Sequence, residues 1–259
     1  MATKFFIVIF SLFITTITGQ NDLLVPNYDN VEHQLKHFAI KQPLILSCNI
    51  TKTGDYELTW EKNGTEVSQV SSLEGRYKII NPERKFIIEK TEEKDAGIYS
   101  CKVNNGQKRD IRVVANVVVR LPSNTNVVEG EKLSIVCAVV GTEPRLYWEA
   151  GNLTIYNSTG RHILKADQNN NKNAILIVEN AGLEDRGEYK CHARNIVTDL
   201  DLAETASDFT YVRVKGKLAA LWPFLGIIAE VFIMCTIILL YERRRTKGEQ
   251  DETDTDGNN

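Results

Sequence analysis

The chain has 259 residues with 31 Lys and Arg against 34 Asp and Glu, a net charge of −3, and 42% hydrophobic residues. That balance provides no basic surplus for a polyanion, so nucleic acid is not an expected partner, and beyond this the charge says little about what binds. The composition is that of a folding chain, and the length leaves room for two modest domains beside any membrane segment.

Residues 1–19, MATKFFIVIFSLFITTITG, carry one lysine, an apolar core from Phe5 to about Ile14 and then small polar residues. This is the pattern of a secretory signal peptide, with cleavage after Thr18 or Gly19, and it places the next two hundred or so residues in an oxidising, extracellular space.

Four of the five cysteines lie in this stretch and mark two similar units, residues 22–116 and 117–215. Cys48 is followed by Trp60 and closed by Cys101; Cys137 is followed by Trp148 and closed by Cys191. Each second cysteine ends an Asp-x-Gly-x-Tyr-x-Cys segment, Asp95 to Cys101 and Asp185 to Cys191, which brings in Tyr99 and Tyr189. Repeated twice, this resembles the immunoglobulin domain. The resemblance implies an all-β fold of two tandem β-sandwiches, with Cys48–Cys101 and Cys137–Cys191 disulfides, a core tryptophan on each, and a corner tyrosine.

Alternating apolar residues predict strands at Leu44–Cys48, Leu58–Trp60, Lys85–Glu89, Ile98–Val103 and Ile111–Val119 in the first unit. In the second they predict Leu133–Val139, Arg145–Trp148, Ala174–Val178, Glu188–Ala193 and Phe209–Val214. Arg76 and Arg161 sit upstream of Asp95 and Asp185, which predicts a structural Arg–Asp pair at one end of each sandwich. The boundary falls in the short run Asn116–Asn124. Four Asn-x-Ser/Thr sites, Asn49, Asn63, Asn152 and Asn157, are candidate glycosylation sites. Asn49 comes directly after a core cysteine on a strand and has to point outward to be used.

No phosphate loop, serine elbow or zinc motif occurs, and His33 and His37, though four apart, lie just before the first core strand and form no metal-binding motif. His192 reads as a surface strand residue. No enzyme, cofactor or metal is expected.

Leu218–Tyr241 then forms an apolar run long enough to span a bilayer of roughly 30 Å hydrocarbon thickness with some tilt. Lys215, Gly216 and Lys217 are all that separate it from the last predicted strand's end at Val214, so the second unit is expected at the membrane surface and the first further out. Arg243, Arg244, Arg245 and Lys247 come next, as a cytoplasmic flank requires, giving a type I single-pass plasma-membrane protein. Glu230 falls near the midplane, where a charge costs on the order of 3 kcal/mol on insertion scales. Ala219, Pro223, Gly226 and Glu230 share one helix face of small or ring-closed residues, suited to another helix. A plain anchor with a protonated or snorkelling glutamate is the alternative reading. Cys235 is a lipid-facing residue or an acylation site. The tail, residues 242–259, has basic residues and then a run of acids, and is expected to stay unfolded.

The span LAALWPFLGIIAEVFIMCTIILLYERRR, with proline and glutamate seven apart and a Tyr-Glu-Arg-Arg-Arg exit, resembles the basigin, neuroplastin and embigin family of membrane glycoproteins. The ectodomain likeness is looser, as in an invertebrate-like form. The resemblance implies an ancillary subunit that escorts a proton-coupled monocarboxylate transporter to the plasma membrane, with Glu230 and Pro223 at the contact. It also implies the family's other described role, an adhesion or signalling receptor linked to integrins and to matrix-metalloproteinase induction, working through the outer domain. Homo-oligomerisation stays open.

Overall fold

The computed structural model describes residues 22–217 and 221–253, with side chains as far as Arg243. The expected signal peptide and Ala219 lie outside the described residues. Two compact units meet between Asn116 and Val117, and each is a β-sandwich.

In the first unit, one sheet orders strands Leu24–Pro26, Leu44–Ile50, Lys85–Ile88 and Tyr77–Ile80. The facing sheet orders Leu35–Phe38, Lys108–Ala115, Gly97–Val103, Leu58–Lys62 and Thr65–Glu66. Alternation decides which side chains go inward: along Leu44–Ile50 the residues Leu44, Leu46, Cys48 and Ile50 are buried, while Ile45 and Asn49 face water. Cys48 bonds to Cys101 between the sheets, and Trp60 lies directly opposite Cys101 in the strand register. Phe86 fills the centre, within 5.3–5.8 Å of the rings of Trp60, Tyr77 and Tyr99.

The second unit repeats the plan. Its larger sheet orders Asn124–Val128, Ala206–Lys215, Gly187–Arg194, Arg145–Ala150 and Leu153–Ile155. Opposite lie Leu133–Val136, Ile175–Val178 and His162–Lys165, with a separate ribbon of Val118–Arg120 on Ala138–Val140. Cys137 bonds to Cys191, and Trp148 stands opposite Cys191.

Two predicted strands are divided. The run Ile111–Val119 stops at Ala115 and restarts at Val118, because Asn116 N–H bonds Phe38 in the first unit while Val118–Arg120 pairs with Ala138–Val140 in the second. An unbroken apolar run does not reveal such a change of partner. Leu133–Val139 likewise parts at Cys137, whose N–H bonds the Ala174 carbonyl. Short strands with mixed burial, such as Tyr77–Ile80 and His162–Lys165, carry too weak an alternation to predict.

A helix runs from Leu221 to Thr253. The expectation of an unfolded tail is therefore corrected through Thr253. The segment after Tyr241 is rich in Glu, Arg, Lys and Gln, and a helix already nucleated in the apolar run extends through such residues at little cost.

Candidate functional site: the apolar helix and the domain surfaces

Residues Leu221–Arg243 are long and apolar enough to cross a membrane, and nothing in the described chain buries them. Trp222 and Tyr241 are highly exposed near its two ends. At about 1.5 Å per residue they stand roughly 29 Å apart, close to the roughly 30 Å hydrocarbon thickness, which suits them to the two interfaces. Glu230 then lies about 12 Å inward of Trp222, deep in the apolar layer.

Pro223, Gly226 and Glu230 succeed one another at intervals of three and four, so they lie along one helix face, and all three are exposed. Pro223 lies within the described helix Leu221–Thr253. Gly226 presents open space where a Cβ would stand, leaving a shallow notch one turn from the carboxylate. Among the described residues no side chain partners Glu230. Cys235 is a free, exposed cysteine.

The ectodomain site residues divide into interior and surface. Trp60, Tyr99, Trp148 and Tyr189 are all buried. The Tyr99 hydroxyl donates to the Asp95 carbonyl at 2.9 Å, closing the corner. Burial raises both tyrosines, Tyr189 to about 12. The expected Arg–Asp pairs are present: Arg76 donates to both carboxylate oxygens of Asp95 at 3.0 and 2.6 Å, and Arg161 to both of Asp185 at 2.6 Å. Burial tends to raise the Asp185 carboxyl, but hydrogen bonds from Arg161 and the Gly182 N–H outweigh it and hold it below the usual carboxylate value.

All four sequon asparagines are exposed. Asn63 and Gly64 make a tight hairpin turn with positive φ at both positions, and Asn63 Oδ1 accepts from Ile98 N–H at 2.9 Å. Asn49 Oδ1 accepts from Arg84 Nη1 at 3.2 Å. His33 lies in a turn and His37 in strand Leu35–Phe38, so their spacing does not make a common helical face. Among the described residues no group of three or more His, Cys, Asp or Glu is placed to hold a metal ion.

One surface is not legible in the sequence. On the outer side of the larger sheet of the second unit, Tyr147 stacks between Tyr156 at 5.1 Å and His192 at 4.7 Å. Phe209 and Tyr211 stand exposed farther across the same sheet. His192 is thus not a plain surface residue: its Nε2 lies 3.0 Å from Glu149 Oε2, without the alignment of a hydrogen bond. The signal lay in register rather than composition, since Tyr147 and His192 are cross-strand partners.

A model of the immunoglobulin I-set domain matches residues 31–115, and one of the immunoglobulin domain matches residues 116–195. Over 90% of its length the chain is 29% identical to basigin of Gallus gallus, covering 58% of that protein. Over 49% it is 33% identical to basigin of Homo sapiens, covering 33% of that protein. The chain is a basigin-like immunoglobulin protein. It spans about a third to three fifths of these relatives' length. Among solved structures, the extracellular domains 3–5 of Drosophila OTK match 70% of this chain and 59% of that one, at 16% identity and a TM-score of 0.43. Two tandem immunoglobulin domains followed by one apolar helix fit a single-pass cell-surface receptor.

Proposed function

We propose that this basigin-like protein is an ancillary subunit of a monocarboxylate transporter, holding it through the Pro223–Gly226–Glu230 face and escorting it to the plasma membrane. The observation that carries the reading is Glu230: an exposed carboxyl deep in an apolar helix, on a face of small residues, with no partner among the described residues. A single span cannot shelter such a group within itself, and an intramembrane acid is seldom left facing lipid. A second membrane protein with a donor opposite Glu230 would satisfy it. Gly226 allows that helix to come close, which matters where lipid offers no hydrophobic drive for pairing. Binding to the folded transporter alone would stabilise that fold by mass action, which is what an escort does. The membrane-proximal second domain would then meet the transporter's extracellular loops, its aromatic face being the surface with most to offer them.

The test is co-expression of a monocarboxylate transporter with wild-type chain or Glu230→Leu. Leucine eases membrane insertion, so the variant should reach the surface as well as wild type does. We expect transporter delivery and co-purification to fall at least tenfold. Unchanged delivery with the variant at the surface would remove Glu230 from the contact. Activity that persists when the whole span is replaced by an unrelated apolar helix would instead favour the adhesion or signalling role of the outer domain, with integrins among its partners.

A further inference from the structure

The two domains treat their core tryptophans differently. In the second, Trp148 Nε1 donates to the Asn173 carbonyl at 2.8 Å. In the first, Trp60 is only 1% exposed, yet its Nε1–H has no hydrogen-bond partner among the described residues. A buried donor left unanswered is uncommon and asks for an explanation. Trp60 also lines a cavity of about 380 Å³, together with Asp55, Tyr56, Glu57, Ile79 and Arg84. That volume falls within the roughly 300–1,000 Å³ of small-molecule sites, which combine apolar walls with a few polar groups.

We propose that this cavity is a carbohydrate subsite for an N-acetylhexosamine unit. The lining selects for that chemistry. Tyr56 and Ile79 offer apolar contact to the C–H face of a sugar ring. Asp55 and Glu57 accept from hydroxyl groups, and with Arg84 the only base in the lining the charge stays net negative, which disfavours a phosphate or another anion. The Trp60 N–H requires an acceptor, and an acetamido carbonyl is one. A cationic peptide side chain would answer the carboxylates and leave the indole unpaired. The indole nitrogen is shielded from bulk water, so the acetamido group reaches it only as the segment Asp55–Glu57 yields. Residues 51–57 lie outside helix and strand, between strands Leu44–Ile50 and Leu58–Lys62, so the wall that has to give is loop.

The sugar has two possible sources. One is the chain itself. Asn49 opens an Asn-Ile-Thr sequon, is exposed, and its Oδ1 is held by Arg84, which also lines the cavity. A glycan attached at Asn49 Nδ2 would begin at the rim, and its first N-acetylglucosamine residues could fold inward. The other is a glycan on another molecule.

The chain has three tryptophans, Trp60, Trp148 and Trp222, so ¹⁵N-indole labelling of the full-length protein in lipid nanodiscs gives three N–H signals. The samples are glycosylated wild type and Asn49→Gln, each with and without N,N′-diacetylchitobiose. With the sugar supplied in cis, the Trp60 signal differs between wild type and Asn49→Gln, chitobiose restores it in the variant, and the other two signals stay put. With a sugar supplied in trans, wild type and variant start alike and both shift on titration. In either case Glu57→Ala should raise the chitobiose concentration at half-shift about fivefold, as expected for one lost hydrogen bond. A Trp60 signal indifferent to both Asn49→Gln and chitobiose overturns the proposal. So does a signal that moves with a lysine-rich peptide but not with the sugar.

Discussion

Three carboxylates in this chain are withdrawn from bulk water or destined for an apolar layer, and they meet different fates. Asp95 is fully buried and gripped by Arg76; Asp185 is nearly so and gripped by Arg161; Glu230 sits on a bare apolar helix with no partner among the described residues. In the domains the chain supplies both members of the pair, so the charge belongs to the fold. In the apolar helix it supplies one member only among the described residues, and under the proposed function the other comes from a partner. An internally answered charge thus reports architecture, whereas the unanswered one is what motivates the proposed partner contact.

The largest expected effect lies in the covalent frame of the domains. Each disulfide closes a loop of just over fifty residues, a restraint worth about 4 kcal/mol in the chain-entropy estimate. Replacing Cys137 and Cys191 together with Ala should lower the stability of the second domain by that order, read by thermal unfolding, while Cys48–Cys101 and the first domain are untouched. Concurrent loss in both domains would show that the two units do not fold separately.

Next come the Arg–Asp pairs. Removing one partner of a buried ion pair leaves an uncompensated charge and costs roughly 3–5 kcal/mol. Arg76→Leu should approach the lower end of that range, because Asp95 has no exposure and also accepts from the Glu92 N–H. Arg161→Leu should cost less, since Arg161 is more exposed than Arg76 and water can partly replace it. Equal losses in denaturant melts would sink the burial argument. Glu230→Leu, by contrast, should leave ectodomain unfolding unchanged while transporter capture fails.

A smaller effect separates the domains by pH. His162 is held below its ordinary value, first by burial and then by the neighbouring Arg161. Asp185 is held below its own by the bonds from Arg161 and Gly182. Both groups bind protons more readily when unfolded. The His162 contribution is therefore complete above about pH 6.5 and is lost as pH falls through its lowered folded value. That of Asp185 is present above about pH 3.9 and fades below it. The second domain should melt at a lower temperature at pH 5 than at pH 7.5, and His162→Asn should flatten that part of the dependence. An unaltered slope in the variant would shift the cause to another group.

Much of this was legible in the chain because it rests on local chemistry. The Cys–Trp–Tyr–Cys repeat marks the sandwich, since each residue type has one job in the core that few others can do. The Arg–Asp pairs are implied by their place in that repeat. A glutamate inside an apolar run is conspicuous without any structure, because the bilayer penalises it wherever the rest of the protein lies. What stayed hidden depends on partners distant in sequence. The apolar run through Asn116 does not say that its two halves serve different sheets. Tyr147, Tyr156 and His192 become a stack only once the register sets them side by side.

The two tryptophans draw the line most sharply. Sequence by itself determined, through the twice-repeated resemblance to the immunoglobulin pattern, that Trp60 and Trp148 are core residues of equivalent domains. Only the tertiary structure decided that the Asn173 carbonyl meets one indole while the other is unpaired among the described residues, on a tryptophan lining a cavity with Asp55, Glu57 and Arg84. Hydrophobic burial constrains the ring from its own position in the pattern. Whether its single N–H is satisfied depends on where an unrelated loop happens to place an oxygen within about 3 Å.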